Sequence, residues 1–176
     1  VKGQNGAGKT SMLRVLAGLV DADTGEVYFS QQNIKDYREN YHQNLIYFGH
    51  KLGINQNLSA VENLQYWCKQ HQVSISDDTI FHTLAQLNLV GSEDIPVANL
   101  SAGQQRRVAL ARFWLKHNAK LWILDEPFTA LDTQGIELLS KHITQFLGRG
   151  GAVVMTSHQA LRVDYPTDEL TLEYRI

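Results

Sequence analysis

The sequence predicts an α/β domain built on a mostly parallel sheet, with a helical subdomain inserted at about residues 57–115. Three observations predict it. Leu121–Leu124 and Ala152–Met155 are short continuous apolar runs with polar or glycine flanks, as suits parallel strands buried on both faces. Strand and helix signals alternate at both ends of the chain. Between them, from Ser59 onward, helical signals alone dominate.

In order along the chain, Val1 reads as the last residue of a strand and Gly3–Thr10 as a loop. Ser11–Leu19 follows as a helix with Met12, Leu13, Leu16 and Leu19 on one apolar face. Asp23-Thr24-Gly25 is a turn, Glu26–Phe29 a short strand, and Leu45–Phe48 a strand ending at Gly49-His50. Ser59-x-x-Glu62 is a capping box leading into Val61, Leu64 and Trp67, and Ser76 caps a second helix carrying Ile80, Leu84 and Leu87. After a loop with Pro96, Ser101-x-x-Gln104 caps a helix whose Val108, Ala111, Trp114 and Leu115 face a core. The Leu121–Leu124 strand comes next, then an amphipathic helix over Gln134–Leu147, the Gly148–Gly151 turn and the Ala152–Met155 strand.

Composition narrows the functional classes. The 176 residues, 43% of them hydrophobic, suffice for one domain with a sizeable core. Sixteen Lys and Arg against 18 Asp and Glu leave a net charge of −2, so no overall positive field draws in nucleic acid, and no nucleic-acid partner is expected. The single cysteine, Cys68, reads as a small apolar residue on a helix and cannot form an internal disulfide. No stretch approaches the roughly 20 apolar residues needed to cross a bilayer. Val1 stands two residues before a glycine-rich loop that normally follows a buried strand, so the expectation is a domain truncated at its N-terminus.

The chemistry begins with Gly3-Gln4-Asn5-Gly6-Ala7-Gly8-Lys9-Thr10, which fits the pattern G-x-x-x-x-G-K-[ST]. Small residues let backbone N–H groups wrap phosphate oxygens, and a helix N-terminus adds its positive dipole end. Lys9 is placed to reach the β and γ phosphates of a nucleoside triphosphate, Thr10 to ligate Mg²⁺, and Ser11 to donate to a neighbouring phosphate. Leu121–Leu124 delivers Asp125 and Glu126 at the C-terminal end of a buried strand, where open α/β sheets place ligands. Asp125 suits the metal, directly or through its outer sphere. Glu126 is the candidate general base toward an attacking water.

With these residues in place the chain resembles the ATP-binding domains of ABC-type transport ATPases. Leu100-Ser101-Ala102-Gly103-Gln104 is similar to that family's signature sequence and stands a short helix upstream of Leu121-Trp122-Ile123-Leu124-Asp125-Glu126-Pro127. Thr129-Ala130-Leu131-Asp132 resembles its D-loop, and Thr156-Ser157-His158 its switch histidine. Five motifs in the family's order cover nearly all of the chain. Ser101 and Gly103 place N–H groups and a hydroxyl at a helix N-terminus, which makes a second anion site.

The resemblance implies a P-loop ATPase core, ATP and Mg²⁺ as ligands, and a head-to-tail homodimer of cassettes. ATP would lie between the Lys9 loop of one copy and Ser101, Ala102, Gly103 and Gln104 of the other, with Asp132 across the interface. It also implies that His158 contacts the γ-phosphate and the attacking water. The chain departs from the family at His50, where a glutamine commonly contacts Mg²⁺; an imidazole nitrogen could make a similar contact.

Within the family, Gly49-His50, Leu100–Arg112, Leu121–Asp132 and Ser157-His158-Gln159 are most similar to the cassettes of bacterial haem exporters in cytochrome c maturation. That resemblance implies integral-membrane transporter subunits as partners and a peripheral position on the cytoplasmic face of the inner membrane. No direct haem binding is expected, since no Cys-x-x-Cys-His is present. The alternatives are a cassette for another cargo and a soluble ABC ATPase that takes no part in transport. DNA-repair types insert coiled coils or zinc-binding cysteines, and translation types carry two cassettes.

Overall fold

The computed structural model describes residues 1–157, 163 and 165–173. In chain order the first elements are β1 (Lys2–Gly3), α1 (Lys9–Leu16), β2 (Tyr28–Phe29), β3 (Gln32–Asn33), α2 (Arg38–Asn44) and β4 (Leu45–Phe48). Helices α3 (Ala60–Gln70) and α4 (Asp77–Gln86), a 3₁₀ turn at Val97–Asn99, and helices α5 (Ala102–Leu110) and α6 (Arg112–Leu115) follow. The chain continues through β5 (Leu121–Asp125), α7 (Thr133–Gly148), β6 (Ala152–Thr156) and β7 (Thr171–Leu172). Two compact units divide it: Val1–His50, Asn118–Pro127 and Ser140–Ile176 form one, and Lys51–His117 with Phe128–Leu139 the other.

In the first unit β4, β5 and β6 run parallel in that order, with Leu45 opposite Leu121 and Asp125 opposite Thr156. All five residues of β5 are buried, which is why its sequence is a continuous apolar run and not an alternating one. β1 pairs parallel with β7, and the Val1 amino group donates to the Met155 carbonyl at 2.7 Å. Leu13, Ala17, Ile34, Tyr41, Leu45, Leu121 and Ile123 form the core that fixes α1 against the sheet. The ring of Trp122 stacks on Phe146 at 3.8 Å between centroids.

Three expectations for this unit need correction. The helix after the glycine loop starts at Lys9 and stops at Leu16, not over Ser11–Leu19, because Gly8 (φ 88°) and Gly18 (φ 67°) take left-handed conformations just outside its ends. Leu19 therefore lies off the apolar face, 52% exposed. The strand expected at Glu26–Phe29 is only Tyr28–Phe29, and it turns back through Ser30 and Gln31 into an unforeseen partner strand. Both turn residues have positive φ, 50° and 65°, as a two-residue hairpin loop requires, without the glycine or asparagine that usually announces one.

The second unit is helical, around Leu64, Leu84, Leu89, Val97 and Val108. Its caps follow the sequence: Ser59 Oγ accepts from the Glu62 N–H at 3.2 Å while the Glu62 carboxylate accepts from the Ser59 N–H at 2.8 Å, and Ser76 Oγ accepts from the Thr79 N–H at 3.3 Å. The helix opened by Ser101 is divided, α5 ending at Leu110 and α6 starting at Arg112. The Trp114 N–H bonds to the Ala111 carbonyl, three residues back, which tightens the turn at the break. Arg112 is buried there and donates to the carbonyls of Leu52 (3.0 Å) and Gly53 (2.5 Å), with its guanidinium 5.7 Å from the Trp67 ring. Cys68 is buried on α3, and desolvation pushes its thiol up to about 11.

Candidate functional site

The phosphate-binding motif sits between β1 and α1. Gly3 has φ 152°, and a Cβ there would stand 2.8 Å from the Leu172 carbonyl oxygen, so β1 can leave the sheet at this point only as glycine. Gly6 and Gly8 follow at φ 85° and 88°, and the Ala7 N–H closes back on the Gln4 carbonyl at 3.1 Å. Gly8 is the N-cap of α1 and offers no side-chain acceptor, in contrast to the serines that cap α3, α4 and α5. The first N–H groups of α1, on Lys9, Thr10 and Ser11, are those a helix cannot satisfy internally. They suit an anion. Asn5 and Ser11 are exposed, and Lys9 Nζ donates to the carbonyls of Gly3 (2.7 Å) and Gln4 (3.0 Å), folding its cation over the loop.

Asp125 ends β5, 4% exposed, and receives the Thr10 hydroxyl on Oδ2 at 2.7 Å. The two residues lie 115 positions apart in sequence, and the parallel sheet brings them together. The opposite carboxylate oxygen, Oδ1, accepts the Thr156 hydroxyl at 2.8 Å. A hydroxyl and a carboxylate oxygen side by side at a helix N-terminus fit a hard cation such as Mg²⁺, which takes few protein oxygens and keeps its waters. Glu126 is next in the chain and adopts φ 50°, a conformation seldom found outside glycine, with its N–H donating to Thr156 Oγ1 at 3.1 Å.

His50 is exposed, two residues beyond the end of β4. Among the described residues no three His, Cys, Asp or Glu side chains gather as a metal cage. Gly49 lacks room for a Cβ, which would meet the Tyr47 ring and hydroxyl at 2.9 Å. Burial, and next the charge of Asp125, raises the Tyr47 phenol above its ordinary range. His158 lies outside the described residues.

In the second unit, Ser101 and Gln104 form a reciprocal cap: Ser101 Oγ accepts from the Gln104 N–H at 3.3 Å, and Gln104 Oε1 accepts from the Ser101 N–H at 2.9 Å. Ser101 and Ala102 are exposed, and a Cβ on Gly103 would come within 3.2 Å of the Ala130 carbonyl oxygen. Asp132 opens α7, its Oδ1 accepting from the Gly135 N–H at 2.9 Å as an N-cap does. Arg107 Nη2 contacts both Asp132 oxygens at 2.6 and 2.7 Å. That hydrogen bond, with the Gly135 N–H second, holds the Asp132 carboxyl below the usual range.

Sequence reasoning missed Arg107, Arg112 and the contacts of α2. The Tyr41 hydroxyl donates to the Leu16 carbonyl at 2.5 Å and His42 Nε2 lies 3.0 Å from the Ala17 carbonyl, so two side chains of α2 serve the C-terminal end of α1. The spacing of Tyr41 and His42 carries no signal for this.

Taken together, an uncapped helix opening behind a glycine loop, a threonine–aspartate pair and a carboxylate after a buried strand define a nucleoside-triphosphatase site. The family described as ABC transporter matches residues 1–129. The chain belongs to that family, as one of its ATPase domains.

Among its relatives is the cytochrome c biogenesis ATP-binding export protein CcmA of Vibrio cholerae, 48% identical over 94% of this chain and 80% of the relative. The protein of the same name from Yersinia pestis is 51% identical over 92% of this chain and 73% of its own length. Among solved structures, a putative ABC transporter ATP-binding protein from Pyrococcus furiosus superposes with a TM-score of 0.79 at 22% identity, over 97% of this chain and 82% of that one. A bacterial ABC transporter cassette solved as a dimer gives 0.75 at 24% identity, over 90% and 73%.

Proposed function

We propose that this chain is the ATP-binding and ATP-hydrolysing subunit of a membrane exporter serving cytochrome c biogenesis, with haem as the exported or released cargo. The observation that carries the hydrolytic part is the Thr10–Asp125 hydrogen bond of 2.7 Å, with Glu126 following directly in the chain. It joins the phosphate loop to the acidic strand end at one point. The reading of export for cytochrome c biogenesis rests on 48% identity to the Vibrio cholerae export protein over 94% of this chain. No helix among the described residues is long and apolar enough to cross a membrane. On this reading the cassette works with integral-membrane subunits, on their cytoplasmic face.

In the proposed cycle the N–H groups of the glycine loop and of Lys9, Thr10 and Ser11 hold the triphosphate, and the Lys9 cation leaves its carbonyl partners for the terminal phosphates. Thr10 and Asp125 hold Mg²⁺, with His50 a further contact at its edge. When bound, the ion neutralises charge on the β and γ phosphates. Glu126 accepts a proton from the attacking water, and His158 orients that water against the γ-phosphate. Ser101, Ala102, Gly103 and Gln104 of a second copy close over the nucleotide, with Asp132 at the seam, so binding pairs the cassettes and hydrolysis releases them.

Glu126→Gln tests the chemistry. The full-length variant should bind ATP and pair with a second copy while steady-state hydrolysis falls about 100-fold or more. Unchanged turnover removes Glu126 from its role. For cargo, cells lacking the gene should fail to assemble c-type cytochromes, and normal assembly there discards haem export.

A further inference from the structure

We propose that Thr156 is a positioning residue for hydrolysis, its one hydroxyl orienting both the metal-facing carboxylate and the backbone of the general base. The inference rests on the hydrolytic reading above and deepens it. The side chain is fully buried, at 0% exposure. It stands opposite Asp125 in the parallel pairing of β5 and β6, so the two side chains lie next to each other on one face of the sheet.

A threonine hydroxyl has one proton to give and two lone pairs. Here the proton goes to Asp125 Oδ1 at 2.8 Å, and a lone pair takes the Glu126 N–H at 3.1 Å. The first bond occupies Oδ1 and thereby turns Oδ2 toward Thr10, which donates to it at 2.7 Å. Asp125 is thus held between two hydroxyls, one from the nucleotide helix and one from β6. The second bond anchors Glu126 where its backbone is least content, at φ 50°. A residue in that region is strained and persists only when its surroundings over-determine it. Branching at Cβ limits Thr156 to few rotamers, so one stiff side chain sets two orientations at once.

A buried valine has the same shape and no hydroxyl, and it leaves Asp125 Oδ1 and the Glu126 N–H without this partner. Loss of hydrogen-bonding support from outside the ligand sphere typically costs about 10–100-fold in metal affinity or activity. The test compares wild type, Thr156→Val and Thr156→Ser, each as the full-length protein in its membrane complex. ATP affinity, KM, kcat, the Mg²⁺ concentration at half-maximal rate, and Tm are read for all three.

The expected result for Thr156→Val is ATP affinity and KM within about threefold of wild type, kcat lower by at least tenfold, and a several-fold higher Mg²⁺ requirement. Thr156→Ser, which keeps the hydroxyl, should restore kcat to within about threefold. A valine variant within twofold of wild type in kcat, with unchanged Mg²⁺ dependence, overturns the proposal. So does a folded serine variant more than tenfold impaired, which would assign the effect to the methyl group; this arm decides the matter if the valine protein does not fold. Absence of hydrolysis in wild type itself would instead count against the proposed function.

Discussion

The guanidinium of Arg107, near the end of α5, contacts both carboxylate oxygens of Asp132, the residue that opens α7, at 2.6 and 2.7 Å. Asp132 also caps α7 through the Gly135 N–H, so one exposed acid joins α5 to the start of α7. Its carboxyl is held low by Arg107 first and by Gly135 second. A carboxyl whose pKa is depressed on folding contributes stability above its unfolded value, near 3.9, and loses that contribution as pH falls through the folded value. Arg107→Leu should therefore raise the Asp132 pKa toward the ordinary range and remove most of this group's share of the acid-side loss of stability. A carbon-detected titration of the Asp132 carboxyl gives the answer, and an unmoved midpoint removes Arg107 as the cause.

Tyr41 is a second titration probe, placed against the C-terminal end of α1. Its ring is 1% exposed, its hydroxyl donates to the Leu16 carbonyl, and burial pushes its pKa up to about 12. Folding thus favours the neutral phenol. The unfolded chain releases this proton near pH 10 while the folded one keeps it, so stability is level below pH 10 from this group and declines between about 10 and 12. Tyr41→Phe should abolish that component of the alkaline decline and cost about 1 kcal/mol at neutral pH for the lost hydrogen bond. Denaturant midpoints measured from pH 8 to 12 check both effects. A variant with the same alkaline slope as wild type contradicts the assignment.

How far these relationships could be read in advance depends on their range along the chain. The strands at Leu45–Phe48 and Leu121–Asp125 and the caps at Ser59, Ser76 and Ser101 are local patterns, and local patterns are what a sequence displays. Asp125 and Glu126 could be placed because a buried parallel strand announces its own end. Thr156 could not be given a role, since its two partners lie 31 and 30 residues away and only the strand register brings them together. The α2 helix has a single buried residue, Tyr41, and hence no apolar stripe to betray it. Its hairpin neighbour turns through Ser30 and Gln31, which lack the glycine or asparagine that usually supplies positive φ in such a loop. The break at Ala111 likewise has no glycine or proline; Arg112 beyond it is drawn inward by the Leu52 and Gly53 carbonyls, which the sequence around it does not contain.

The Gly49-His50 pair yields a prediction about why glycine precedes the histidine. Gly49 does not need an unusual φ; what it needs is space, because Tyr47 two residues earlier on the same side of the chain folds its ring over the position. An alanine methyl there would lie 2.9 Å from the ring edge and from the hydroxyl, inside the closest approach that carbon and oxygen tolerate. Relief requires Tyr47 to leave its half-buried place against the α1 core, or β4 to end differently and redirect His50. Gly49→Ala should therefore cost about 1–3 kcal/mol, the range for overpacking. Tyr47→Leu, which shortens the side chain, should cost a similar amount alone through lost packing. The two changes combined should cost less than their sum, with a coupling of about 1 kcal/mol or more from urea denaturation. Strict additivity would show that Tyr47 does not enforce the glycine, and the steric account of this turn would fail with it.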